Sequence, residues 1–265
     1  MRCDKEQLKA ILADSRYIDI GNLPSNFLPY KSGPDAFDKL YIRPFTVQEL
    51  KLVSMAAALK EMKHLIRAVD MVISAPAEWL SIGDFYYVLM WLRIHSFPKT
   101  PLVVSWTCQE KVLTNKKDGS FFFNDGSTIP EDADLSEYEF RECGTHNSEL
   151  IHMSDIEIIT LDDDFEPLLP GFDFPRASHI EDIRAAVENP ETRFLASAAQ
   201  WVAGATFKER LATLEAQMDL DMFDTASILN ERADHGVKEH MTIMCRHCRY
   251  GQPYTVTIDA LSFFR

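Results

Sequence analysis

The sequence predicts an α+β protein: a helical hairpin and a helical block around a small β module, with an extended arm at the N-terminus. Three observations predict it. Apolar residues recur at spacings of three and four through 46–97 and again through 177–235, the period of an amphipathic helix. The period drops to two in Leu102-Val103-Val104-Ser105-Trp106-Thr107 and in Tyr254-Thr255-Val256-Thr257-Ile258-Asp259, the alternation of half-buried strands. Four cysteines border these β segments: Cys108, Cys143, Cys245 and Cys248.

Composition bounds the rest. With 46% hydrophobic and 26% charged residues, the 265-residue chain matches one or two ordinary globular domains with a sizeable core. No apolar stretch reaches the roughly 18 residues that cross a bilayer. The start, Met1-Arg2-Cys3-Asp4-Lys5-Glu6, runs into charge where a signal peptide would be apolar, so the expectation is a protein made and folded in a cytosol. Lys and Arg number 27 against 41 Asp and Glu, a net charge of −14. Polyanions are bound by clustered Lys and Arg. The longest such cluster is the short Cys245-Arg246-His247-Cys248-Arg249, so no nucleic acid and no membrane are expected, and protein partners are.

Taken in order, residues 1–45 read as a short helix followed by an extended arm. Leu8, Ile11 and Leu12 share a helix face; Pro24, Pro29, Gly33, Pro34 and Pro44 then break any helix around the short strands Tyr17–Ile20 and Leu40–Arg43. Residues 46–100 form the hairpin. Thr46 and Glu49 make a capping box for a long helix with a heptad seam of Leu52, Met55, Leu59, Met62, Ile66, Val69 and Ile73, read as core. Ser81 and Asp84 cap a second helix with the stripe Phe85, Val88, Leu89 and Leu92, ended by Pro98. Residues 101–176 hold the first half of the β module, with 109–142 as a looped-out insertion and Ile156–Leu161 as a further strand. Residues 177–235 are the helical block: one helix capped by Ser178 and Glu181 and ended before Pro190, then Thr192–Val202, Thr206–Gln217 and Leu220–Ala233. Gly236 reads as the helix stop. Residues 236–265 complete the β module.

The cysteines carry the chemistry. Strand, Cys245-Arg246-His247-Cys248, then Arg249-Tyr250-Gly251 and a second strand is the form of a zinc knuckle, in which a turn aims two thiolates at one ion. The glycine that follows is read as giving the backbone a close approach to the sulfurs. A tetrahedral site needs four ligands, and with 109–142 looped out Cys108 and Cys143 supply the other two, making a zinc-ribbon-like core split by the helical block. His146 and His247 are alternative ligands. Zinc is the favoured ion, an iron–sulfur cluster the alternative, since four thiolates suit both. Buried free thiols or a redox dithiol are the readings without a metal.

No Gly-x-Gly-x-x-Gly, phosphate-binding loop, Gly-x-Ser-x-Gly or His-Glu-x-x-His occurs, so no enzyme is expected. Asp162-Asp163-Asp164 reads as a solvated loop. His64, His95, His152, His179 and His235 read as surface or packing residues without paired partners, and Trp79, Trp91 and Trp201 as core.

The order of parts resembles one known family. "IRPFTVQE" opens the long helix, "LSIGDFYYVLMWLRIHSF" forms the second, a "CGTHN" element follows, and the chain ends "MCRHCRYGQPYTVTIDALSFFR". Over roughly residues 17–265 this is similar to the baseplate hub family of contractile-tailed, myovirus-type phages; its most specific parts are Asp84 to Phe97 and the terminal knuckle with Phe263-Phe264. Cys245 and Cys248 match the terminal knuckle and Cys143-Gly144 the second half of the central one. Cys108 matches its first half across the insertion, where this sequence departs from the pattern. The resemblance implies a structural component of the tail baseplate, at or near the hub or needed for hub assembly. Its partners would be other baseplate and hub proteins in a symmetric multi-copy assembly. It would reside in the virion after assembly in the host cytoplasm. A cytosolic zinc-ribbon adaptor or nucleic-acid-associated factor, or an iron–sulfur protein, is the alternative.

Overall fold

The computed structural model describes residues 13–31, 36–117, 119–120, 134–162, 165, 168–217, 220–238 and 240–255. The first predicted helix up to residue 12, Cys3, Asp163-Asp164 and Phe263-Phe264 lie outside them. The architecture is α+β: helices and short strands, each strand pairing antiparallel with one neighbour among the described residues. The chain forms two compact units. One comprises residues up to Pro98 together with Glu157–Val237; the other comprises Lys99–Ile156 and the segment that follows Val237.

In the first unit β1 (Ile18–Asp19) pairs with β2 (Tyr41–Ile42). The stretch between them is no free arm: Leu23, Tyr30 and Leu40 are buried, because its apolar residues are too many to leave in water. Helix α1 (Val47–Leu59) starts at the predicted box, where Glu49 Oε2 accepts from the Thr46 N–H at 2.6 Å and from its hydroxyl at 2.5 Å. It then stops. Lys60 takes a left-handed φ of 57°, the N–H groups of Lys60 and Glu61 return to Ala56 O, and a separate helix α2 (Met62–Asp70) begins. The single long helix is two.

That break also moves the core face. A seam of apolar residues keeps one orientation only along an unbroken helix, and a left-handed residue resets the phase. The buried apolar residues are Val53 and Ala56 on α1, and Met62, Leu65, Ala68 and Val69 on α2. Met55 and Leu59 of the expected seam are 43% and 56% exposed.

Helix α3 (Ile82–Ser96) follows expectation, with Ser81 Oγ accepting the Asp84 N–H at 3.3 Å and Phe85, Val88, Leu89 and Leu92 buried. The Asp84 carboxylate is buried as well. It accepts from the Ser25 N–H at 3.0 Å, the Ser25 hydroxyl at 2.5 Å and the Tyr30 hydroxyl at 2.7 Å, which fastens the N-terminal stretch to α3. Burial, with the Asp84 charge beside it, pushes the Tyr30 phenol well above its ordinary range.

The helical block contains α4 (Ile180–Glu188), α5 (Arg193–Ala199), α6 (Phe207–Gln217) and α7 (Leu220–Arg232), packed on Phe174, Ala196, Ala199, Trp201 and Phe207. Ser178 lies in a 3₁₀ turn that leads into α4. Gly236 is not a helix stop. It lies in β8 (Gly236–Val237), opposite β7 (Ile158–Ile159), all that forms of the predicted 156–161 strand. Its φ is 118°, and a Cβ there would stand 2.8 Å from Gly83 Cα. Backbone meets backbone at this crossing, and only glycine fits.

In the second unit β3 (Val103–Thr107) pairs with β6 (His146–Leu150), and β4 (Lys111–Asn115) with β5 (Tyr138–Glu142). Residues 109–142 therefore begin and end as paired strands rather than as loop. β9 (His240–Met244) pairs with β10 (Gly251–Thr255) around the Cys-x-x-Cys.

Candidate metal centre

Cys108 leaves β3 and Cys143 leaves β5, and main-chain bonds bring the two corners together. The Cys108 N–H donates to Thr145 O at 3.0 Å, the Gly144 N–H to Cys108 O at 3.0 Å, and the Cys143 N–H to Glu110 O at 2.8 Å. Gly144 has φ 61°, so the turn after Cys143 uses the left-handed conformation that glycine tolerates. The second corner mirrors the first. The Cys245 N–H donates to Tyr250 O at 3.0 Å, and the Arg249 N–H returns to Cys245 O at 2.9 Å. Here the left-handed residue is Arg249, at φ 55°, whereas Gly251 sits in the ladder opposite Met244. A Cβ at Gly251 would stand 3.1 Å from the Thr242 side chain and 3.2 Å from Met244 Sδ, so the close neighbours of this glycine are those side chains and not the cysteine sulfurs.

All four sulfurs lie within 4.8 Å of one another. Cys108 Sγ is 3.6 Å from Cys248 Sγ, and Cys143 Sγ is 3.7 Å from Cys245 Sγ, so each close pair joins one corner to the other. Those separations exceed the roughly 2 Å of a disulfide. A tetrahedral ion with metal–sulfur bonds of about 2.3 Å spaces its ligands about 3.8 Å apart. The shell has the size of one ion. Cys108, Cys245 and Cys248 are buried and Cys143 half-buried, with Val112 and Tyr250 packed around them.

Electrostatics divides the sulfurs. Burial pushes the Cys248 thiol up to about 12 and raises that of Cys108. Burial acts against ionisation of Cys245 too, but the N–H groups of Cys248 and His247, the Asn147 amide and the Cys143 thiol outweigh it and hold Cys245 at about 6.

Asn147 is a site residue that sequence reading missed. It is buried; its Nδ2 donates to Thr145 O at 3.0 Å and lies 3.5 Å from Cys245 Sγ, while its Oδ1 accepts the Arg246 N–H at 3.0 Å. One amide therefore orients both corners. Its sequence signal was its place in the "CGTHN" element, which gives no hint of an amide buried between the two corners. His146 and His247, the alternative ligands, are both exposed and lie outside the sulfur cluster.

Of the other candidates, Asp162 is exposed. His235 is not unpaired: its Nε2 is 2.7 Å from Ser81 Oγ and its Nδ1 2.8 Å from Ala233 O. Both side chains are buried and the serine also caps α3, so this contact is structural. Burial lowers the pKa of His179.

The sequence model of the family described as T4 bacteriophage base plate protein matches residues 27–265. The chain belongs to this family. The matched range takes in the helices, the β module and all four clustered cysteines of the baseplate protein. Searches among curated proteins and among solved structures find no match. Membership bears out the expected baseplate relationship and places the protein in the virion tail. Among the described residues no helix is long and apolar enough to cross a membrane.

Proposed function

We propose that this baseplate protein is a non-catalytic structural part of the contractile tail, acting at or near the hub or in hub assembly. Cys108, Cys143, Cys245 and Cys248 would hold one structural zinc ion that fixes its β module. The observation that carries this reading is the convergence of four sulfurs from two chain-distant corners, in a chain whose family match spans both. Four protein ligands close a zinc shell and leave no position for substrate, so the ion would supply folding energy and not reactivity. The close spacing supports one ion over a cluster, which spreads its thiolates over several irons. The partners are other baseplate and hub proteins, met in the host cytoplasm during assembly and present in several copies.

The test is complementation of a phage lacking this gene. Wild-type protein should restore infectious particles, and averaged images of labelled tails should place it near the tail axis. Cys245→Ser should give low folded yield and no incorporation. A metal-free Cys245→Ser protein that assembles fully, or a label at the baseplate periphery, would defeat the proposal.

A further inference from the structure

Helix α1 carries two apolar faces, and the fold uses one. Val53 and Ala56 point inward. On the opposite side Val47 is 73%, Met55 43% and Leu59 56% exposed. With Lys51 they form one row at four-residue spacing, the ridge by which helices seat in a neighbour's groove. Ser54 and Ala58 flank the row, exposed and small enough for a second helix to approach closely. A surface helix normally keeps its outer face polar.

The charge on this face has one sign. The charged residue on the row is Lys51; Lys60 follows the helix and lines a pocket with Glu61, Glu181 and Glu188, while Glu49 is buried against Arg43. This is a cationic apolar ridge on a chain of net charge −14.

We propose that the Val47-Lys51-Met55-Leu59 ridge is a docking surface for an acidic amphipathic helix of another baseplate protein. This rests on the structural role proposed above and names the kind of partner. A second copy of this chain fits poorly. Antiparallel pairing about the middle of the ridge would set the two Lys51 side chains about 6 Å apart along the axis, like charge beside like charge. An acidic helix gives Lys51 a counter-charge and covers the apolar side chains of the row. The ridge spans about 18 Å, three turns, so the contact is small and gains strength from being one of several in an assembly.

The experiment places a photo-crosslinking amino acid at Met55 of the full-length protein during infection, with the exposed Asn189 as control site. Purified tails are irradiated and the linked peptide is sequenced. The expected product joins Met55, and not position 189, to a segment of another baseplate protein with an apolar stripe flanked by Asp and Glu. Lys51→Glu should lower its yield about fivefold, and an acid-to-lysine change in the partner should restore it. Crosslinking to a second copy, to nucleic acid or to a neutral or basic segment overturns the inference. So does incorporation into tails with no Met55 product, or a yield indifferent to Lys51→Glu. Absence of the protein from tails would overturn the structural role as well, which separates the two failures.

Discussion

Replacing Glu49 by glutamine removes one charge from a buried site and changes little else. The Glu49 side chain is 2% exposed and pairs with Arg43 at 2.9 Å, itself 11% exposed. Burial alone would raise the carboxyl, but the Arg43 guanidinium and then the Thr46 hydroxyl and N–H overcome it and hold Glu49 at about 2, against an ordinary 4.5. That difference corresponds to about 3 kcal/mol of folding free energy at pH 7. Glutamine keeps an oxygen for the Thr46 N–H and loses the charge, leaving Arg43 with the carbonyls of Pro44 and Met71. Glu49→Gln should therefore lower stability by about 3 kcal/mol and the melting temperature by roughly 6–12 °C. The sign of the pH dependence follows. A carboxyl with a depressed folded-state pKa contributes fully above its unfolded value of 4.5 and loses that contribution as pH falls toward 2. Urea unfolding followed by tryptophan fluorescence should show the gap between wild type and variant shrinking by pH 3 to less than about half its pH 7 size. An equal gap at both pH values, or a variant as stable as wild type, would refute the reasoning.

Other sites give sharper or smaller effects. Gly236→Ala forces a Cβ to 2.8 Å from Gly83 at a φ of 118°, and should cost more than about 3 kcal/mol, read as loss of soluble protein or of a cooperative melt. Lys60→Gly relieves a left-handed conformation at the end of α1 and should raise stability by about 1 kcal/mol in the same urea assay. Stripping metal with a chelator at pH 7 should raise the count of thiols reactive to a colorimetric reagent by four, those of the sulfur cluster, and re-adding zinc should protect them again.

Local signals were legible where the chemistry was local. The Thr46–Glu49 box, the Ser81 cap and the break at Pro190 each depend on neighbours within one turn, and the helices start or stop there. The Cys-x-x-Cys likewise lies between two paired strands. The end of α1 was not legible, because Lys60 in a left-handed conformation has no sequence signature where glycine would have had one. Nor was its inner face, since α1 is apolar on both sides and periodicity cannot choose between them. Cys108 and Cys143 meet through main-chain bonds at Thr145 and Glu110, so their proximity follows from the pairing of β3 with β6 and β4 with β5 and not from spacing. Asn147, Asp84 and Gly236 share that origin. Each is an ordinary residue in the sequence, and each acquires its role from a partner far along the chain.

The central claim is a single ion held by four cysteines, and elemental analysis with an absorbance spectrum on anaerobically purified full-length protein tests it most directly. The account predicts about one zinc per chain, no visible absorption band, and loss of the metal in Cys143→Ser and Cys248→Ser. Iron with labile sulfide would replace the ion by a cluster. Protein that is folded and metal-free would contradict the account outright, leaving the four sulfurs as a packed apolar cluster.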